Sequence, residues 1–304
     1  MRRILFVVNP KSGKAAVKNN VLGIVDIFTK HECLTTLYVT QRGKEATEIV
    51  EKLGMNYDLI VCSGGDGTLD EVVDGVMNLE RKVPIGYIPS GSTNDFAKSM
   101  GIPFDHIEAA KAIMDGKEFQ CDVGLFNGAY FIYVAAFGAF TEVSYSTPQQ
   151  TKNMFGHLAY ILEGARSLAS IKSYHVTVTC KDSETKQKLH IEDDILLGMV
   201  TNALTVGGMK RYKEEEVLFD DGYFEVILIR MPKNMIELNG ILGALLTNDY
   251  NSECMYYFKT AELTVESEEN INWTLDGEFG GSVKEAVIKN QKKGFSIYRN
   301  MGLE

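Results

Sequence analysis

No stretch of this 304-residue chain is apolar for long enough to cross a bilayer. The longest nearly apolar run, YFIYVAAFGAF at Tyr130–Phe140, has about half the ~20 residues a spanning helix needs. Arg2 and Arg3 precede an apolar run as in a secretory leader, but Asn9, Pro10 and Lys11 end that run too early. A soluble, cytoplasmic protein is therefore expected, peripheral to a membrane at most. Cysteine is scarce too: Cys33, Cys62, Cys121, Cys180 and Cys254 are odd in number, scattered, and never spaced Cys-x-x-Cys. That excludes a disulfide frame and a cysteine zinc site, and suits a reducing compartment. Basic residues are in deficit, 31 Lys and Arg against 41 Asp and Glu, a formal charge of −10 that argues against nucleic acid as a partner. Two local basic stretches remain, Lys210–Lys213 and Lys289–Lys293. With 45% hydrophobic residues the chain has material for more than one core, and its length suits two domains.

What is present is organised around Asp58–Val76, DLIVCSGGDGTLDEVVDGV. Leu59, Ile60 and Val61 form an unbroken β-forming run, as in a strand buried on both faces of a parallel sheet. Glycines at 64, 65 and 67 then surround Asp66, and Val72, Val73 and Val76 fit one face of a following helix. A strand, a glycine turn and a helix start leave backbone N–H groups where the helix dipole favours an anion, so phosphate is the expected guest. Asp66 has no evident structural task there, and a carboxylate beside phosphate implies a cation between them.

The same rhythm flanks this stretch. Ile4–Val8 reads as a buried strand followed by NPKSGK at Asn9–Lys14, and Val17, Val21, Ile24, Val25 and Phe28 continue at helical spacing. A strand at Leu34–Thr40, a helix through Ala46–Leu53, and a strand before PSGSTNDFAKS at Pro89–Ser99 complete the pattern. Strands alternating with helices predict a parallel α/β sheet with ligands at the carboxyl ends of its strands. Asp122 then lies inside an otherwise apolar strand, which costs free energy unless the carboxylate is paired. From Tyr130 the pattern becomes strand-like and β-branched, and YHVTVTC and AELTVES alternate with period two, which predicts a mainly antiparallel second region. Long helices are expected there at Phe155–Ile171 and Asn234–Thr247. The first carries a stripe of Phe155, Leu158, Leu162, Ala165 and Ala169 beside Arg166 and Lys172, fit either for a membrane surface or for packing on the sheet.

Phosphoryl transfer to an alcohol needs phosphates held in line, their charge neutralised, and a base near the attacking hydroxyl. Asp276 and Glu278 of LDGE share a face if that segment is a strand; an Asp-Gly hairpin with exposed acids is the equal alternative. Asp220–Gly222 likewise reads as an Asp-Gly hairpin.

Taken in order, NPKSG, Thr40, GGDGTLDE, PSGSTNDFA, DDGYFEV and LDGE resemble the bacterial diacylglycerol kinase-like lipid kinases, over nearly the whole chain. The resemblance implies an N-terminal α/β domain with a parallel sheet, related to those of NAD kinase and phosphofructokinase, at residues 1–125. It implies a β-sandwich for the second region, mainly antiparallel by its rhythm; the change of rhythm near Gly124–Gly128 alone sets the boundary and so puts this domain at 126–287, with the segment from about 288 to 304 available to pack back on the first domain. It implies ATP and Mg²⁺, with nucleotide contacts at Asn9, Thr40, Gly64, Gly65, Asp66, Gly67, Thr68, Leu69, Asp70 and Ser92. A structural Mg²⁺ is implied at Asp221 with the backbone oxygens of Leu218 and Tyr223, and a general base at Glu278. Asp276 and Asp66 stand beside Glu278 as acids of the reaction. Two positions depart from the family's usual pattern: Asp70 and Tyr133 stand where asparagine is common. The first adds negative charge near the phosphates, and the second puts an aromatic where a polar group would help shape the cleft.

The expected activity is transfer of the γ-phosphate of ATP to diacylglycerol or a related lipid alcohol. Transient membrane contact is expected with it, and a homodimer is compatible with the sequence. An NAD kinase-like phosphotransferase shares GGDGT and is the alternative enzyme; a nucleotide-binding regulator without catalysis is the alternative class.

Overall fold

Three strands buried almost end to end carry the first half of the chain. A computed structural model describes residues 1–13, 17–138, 172–202, 205–206, 209–210, 218–247 and 253–300. The chain divides into two units, Met1–Asp122 with Lys293–Glu304, and Val123–Lys292.

In the first unit β1 (Arg2–Val8), β3 (Leu59–Gly64) and β4 (Ile85–Pro89) are the buried strands, and β2 (Cys33–Val39) is the half-exposed edge. β1 pairs in parallel with β2 on one side and with β3 on the other, and β3 pairs in parallel with β4. Helices α1 (Val17–Lys30), α2 (Glu45–Leu53), α3 (Asp66–Met77), α4 (Asp95–Ser99) and α5 (His106–Asp115) follow these strands. α1 buries Val17, Ile24 and Phe28, positions that share one helical face, and Phe28 meets Phe6 edge-on at 5.8 Å. Because β1 lies between β2 and β3, the chain order reverses there, and such a reversal opens a crevice at the strands' carboxyl ends.

The second unit begins inside β5 (Lys117–Phe126) and ends inside β15 (Glu278–Arg299). Asp122, the carboxylate in the apolar strand, is 1% exposed, and its Oδ1 accepts the backbone N–H of Lys293 at 2.7 Å. That bond ties the returning strand to the first unit. β6 (Ala129–Phe131), β7 (Val134–Gly138), β8 (Tyr174–Lys181) and β9 (Lys188–Thr201) come next. The short pair β10 (Thr205–Val206) and β11 (Met209–Lys210), then β12 (Phe224–Arg230), β13 (Met255–Thr260) and β14 (Glu262–Leu275), complete the strands. Pairing is antiparallel, in the order β13-β12-β9-β7-β14-β15, with β8 joining both β14 and β9. Trp273 is 1% exposed and packs against Phe126 and Phe137, with ring centroids at 5.0 and 4.7 Å. The helix read at Asn234–Thr247 is α6 (Met235–Thr247), and Asn234 caps it by accepting the N–H groups of Ile236 and Glu237. The helix read at Phe155–Ile171 lies outside the described residues.

Candidate active site

The loops after β1, β3 and β4 are drawn together by backbone and short polar side chains. Asn9 donates its backbone N–H to Ser63 O at 2.9 Å and its Nδ2 to Thr68 Oγ1 at 2.9 Å. Gly65 N–H reaches Ser12 Oγ at 3.3 Å, and Ser90 N–H reaches Gly64 O at 2.7 Å. Ser63 Oγ and Ser90 Oγ lie 2.7 Å apart. The glycines here are needed for approach more than for backbone freedom. A Cβ on Gly64 would sit 2.3 Å from the Thr68 side chain, and one on Gly91 would sit 2.5 Å from Gly65 Cα.

Asp66, the first residue of α3, bridges two of the loops: its carboxylate accepts the N–H of Asp95 at 3.1 Å and of Phe96 at 3.3 Å. Burial raises its pKa, while those donors and the Lys98 ammonium oppose the shift. Even with the Asn94 N–H as a further backbone donor, a carboxylate keeps a lone pair, so the structural task that the sequence concealed leaves room for a cation ligand. Leu69 is fully buried, so any ligand contact from it is through its backbone. Gly67 and Asp70 lie half-buried in the first turns of α3, and Ser92 is exposed in the loop after β4.

Beside these loops a cleft of about 130 Å³ is lined by Asn9, Thr40 and Thr68, three residues the sequence singled out. Thr40 is 6% exposed and donates its N–H to Val8 O, which fixes the end of β2 against β1. The other wall, Gln41, Arg42 and Gly43 with Lys11 and Glu71, was not read from the sequence. Glu71 shapes that wall. Its carboxylate accepts the N–H groups of Lys44 at 2.9 Å and Ala46 at 3.1 Å, capping α2 from another helix. The signal was available: QRGKEA offers no Ser, Thr, Asp or Asn where α2 begins, so its cap had to come from elsewhere. His106 was also missed; it is buried, with Nε2 3.3 Å from Ser90 Oγ and Nδ1 2.9 Å from Asn20 Nδ2.

In the second unit LDGE is a hairpin tip, and Asp276 and Glu278 do not share a strand face. Asp276 and Gly277 both have positive φ, 51° and 87°, the conformation of a tight two-residue turn. The buried Asp276 carboxylate accepts the N–H groups of Ile132, Tyr133 and Val134 at 2.6, 3.0 and 2.8 Å. Glu278 is exposed just past the turn. Asp221 also sits in a turn, its Oδ1 accepting Tyr223 N–H at 2.8 Å, with Gly222 at φ 88° and Leu218 exposed nearby in sequence. Lys292 Nζ donates to Asp221 O at 3.1 Å. Glu225, 1% exposed and 3.1 Å from Lys259 Nζ, is pushed up to about 7 by burial, with Lys259 opposing and Asp221 adding to the rise. Among the described residues, no group of three or more His, Cys, Asp or Glu side chains forms a metal cluster, and no helix is long and apolar enough to cross a membrane.

The profile of the diacylglycerol kinase catalytic domain matches residues 3–126. A diacylglycerol kinase of Bacillus subtilis (strain 168) is 33% identical over 284 residues, covering 92% of this chain and 91% of its own. The chain belongs to the diacylglycerol kinase family. A diacylglycerol kinase of Staphylococcus carnosus (strain TM300) is 31% identical over 98% of this chain and 95% of its own. The crystal structure of a diacylglycerol kinase from Bacillus anthracis str. Sterne shares the fold, with TM-score 0.76 at 24% identity over 100% of this chain and 98% of that one. A second structure from that organism gives TM-score 0.83 at 25% identity, also over 100% and 98%. The catalytic-domain match of this diacylglycerol kinase family member takes in all three loops and the cleft. Asp276, Glu278 and Asp221 lie beyond it.

Proposed function

We propose that the chain is an ATP-dependent lipid kinase that phosphorylates the hydroxyl of diacylglycerol or a related lipid alcohol at a membrane surface. The observation that carries this is the closure of three loops at the β1/β3 reversal, marked by the Asn9 Nδ2 to Thr68 Oγ1 bond of 2.9 Å. Their glycines let the loops close on one another, at the start of a twelve-residue helix whose first N–H groups and dipole favour phosphate. The adjoining cleft suits the nucleoside, with Thr40 at its floor.

The acceptor hydroxyl oxygen forms a bond to the γ-phosphorus as the bond from that phosphorus to the ADP oxygen breaks, and Glu278 takes the hydroxyl proton. Lys11, on the cleft wall, supplies positive charge toward the phosphates. Mg²⁺ would lend its charge to the phosphates and, at the second unit, stiffen the Asp221 turn. The donors fit a hard cation, because the Asp221 carboxylate and the carbonyls of Leu218 and Tyr223 are all oxygens. Asp221 O already receives the Lys292 ammonium, so a metal there would use the carboxylate.

The test is incubation with labelled ATP and Mg²⁺ against a panel of neutral lipids in vesicles, with NAD as a separate acceptor. Label in a phosphatidic acid-like product is expected. Label in the NAD product alone would replace this reading with the NAD kinase one, and nucleotide binding with no transfer to any acceptor would leave only a regulator.

A further inference from the structure

Asp276 was grouped by sequence with Glu278 as an acid of the reaction, but its carboxylate is consumed elsewhere. Three backbone N–H groups in a row, Ile132, Tyr133 and Val134, point at its two oxygens. Its own N–H goes to Val134 O at 2.8 Å, and its carbonyl accepts the Tyr133 phenol at 2.9 Å. Residue 276 is thus clamped on every polar atom to the bend between β6 and β7. Both oxygens of that carboxylate are thus engaged by the backbone.

The clamp has a second purpose visible in the turn itself. Asp276 is held at φ 51°, a left-handed conformation that is strained for most residues and that Asp tolerates. The hairpin pair across it is Leu275 with Glu278, so fixing Asp276 fixes where the Glu278 backbone leaves the turn. Tyr133 is only 7% exposed, and its phenol reaches the carbonyl of Asp276 directly.

We propose that Tyr133 and Asp276 are positioning residues that hold the Glu278 carboxylate in its working place. The proposal rests on the reading of Glu278 as general base. Tyr133 then selects no lipid by touching it; it acts through the turn.

The experiment compares Tyr133→Phe, Asp276→Asn, Glu278→Gln and the Tyr133→Phe/Glu278→Gln double variant of the full chain, by kcat, KM for ATP, melting temperature and amide hydrogen exchange. Tyr133→Phe keeps the ring and removes one buried bond, so kcat should fall roughly fivefold with KM for ATP unchanged and only a small drop in melting temperature. Asp276→Asn should lower kcat more than tenfold and speed exchange at the amides of Ile132, Tyr133 and Val134. Glu278→Gln should lower kcat at least a hundredfold, and adding Tyr133→Phe to it should change the residual rate no further, because the two act as one unit. Full loss in Glu278→Gln with parental kcat in Tyr133→Phe overturns the positioning proposal alone. Additive losses in the double variant also overturn it, since Tyr133 would then act by another route. Parental turnover in Glu278→Gln overturns the base itself, and this proposal with it. Should Asp276→Asn fail to fold, Tyr133→Phe and the double variant decide the matter unaided.

Discussion

In the parallel unit the polar residues of the site meet because the strands bring them there. β1, β3 and β4 run side by side in one direction, so the loops after them emerge at one end and touch through glycine and serine. In the antiparallel unit, successive strands end at opposite edges, and each acid sits alone at a hairpin tip or turn. Asp276 is locked by the 132–134 bend and Asp221 by its own following N–H. A parallel sheet gathers a site from many loops at little local cost, whereas an antiparallel one must clamp each functional turn separately.

The sharpest way to break this comparison is through the cores. Trp273→Ala removes the ring that packs between Phe126 and Phe137 and should destabilise the antiparallel unit by about 3–5 kcal/mol. In calorimetry one transition should fall and a second, assigned to the parallel unit by its upward shift with ATP, should stay. If both fall together, the two units are one cooperative body and the contrast does not extend to stability.

Next in size is the closure of the loops. Gly91→Ala forces a Cβ to 2.5 Å from Gly65 Cα and 2.7 Å from Asn94 Oδ1, a backbone clash that overpacking data put at about 1–3 kcal/mol. ATP affinity should drop at least tenfold in a calorimetric titration. Gly65→Val should weaken ATP with a smaller loss of stability, since its Cβ would lie 3.2 Å from Gly91 Cα and only the loops must give. Gly43→Ala, on the cleft rim with nothing within 4 Å of its added Cβ, is the control and should melt like the parent. A Gly91→Ala protein that melts and binds ATP like the parent would mean the loops do not need their close approach.

The difference between the units also decides what could be read from the chain. Loops after parallel strands are contiguous motifs, so Asn9 and Thr68 of the lining of the cleft stood out within them, whereas Thr40 came only with the family resemblance. The antiparallel rhythm after Tyr130 was legible by its period of two, and the start of α6 by Asn234. Clamps between distant residues were not legible. Asp122 could be recognised as a carboxylate needing a partner, but Lys293 N–H lies far along the chain and has no side-chain signature. The partners of the Asp276 carboxylate were hidden too, because they are backbone N–H groups, which every residue but proline owns. Glu71 and His106 escaped for a related reason: they serve segments other than their own.

A smaller effect tests the metal expected in the antiparallel unit. Mg²⁺ bound only to the folded state should raise stability by about 1.4 kcal/mol at ten times its Kd. In Asp221→Ala that gain should vanish while the melting temperature without Mg²⁺ falls slightly, because the bond to Tyr223 N–H is lost. The same Mg²⁺-dependent rise in both proteins would remove Asp221 as a ligand.

The smallest expected effect returns to the parallel unit and asks whether its site, too, depends on a remote clamp. Glu71 caps α2 across helices and so sets the Gln41–Gly43 wall of the cleft. Glu71→Gln keeps the shape and one good acceptor but loses the charge that favours a helix N-terminus, a change of about 0.3–1 kcal/mol. KM for ATP should rise two- to threefold with kcat unchanged, since the wall binds the nucleotide equally before and during transfer. Glu48→Gln is the matched control. Glu48 pairs with Arg42 at 2.8 and 2.5 Å, but both side chains are more than half exposed, where such pairs contribute about 0–1 kcal/mol. Its KM should stay at the parental value. A rise for Glu48→Gln and none for Glu71→Gln would show that the surface ion pair, not the interhelical cap, holds the wall.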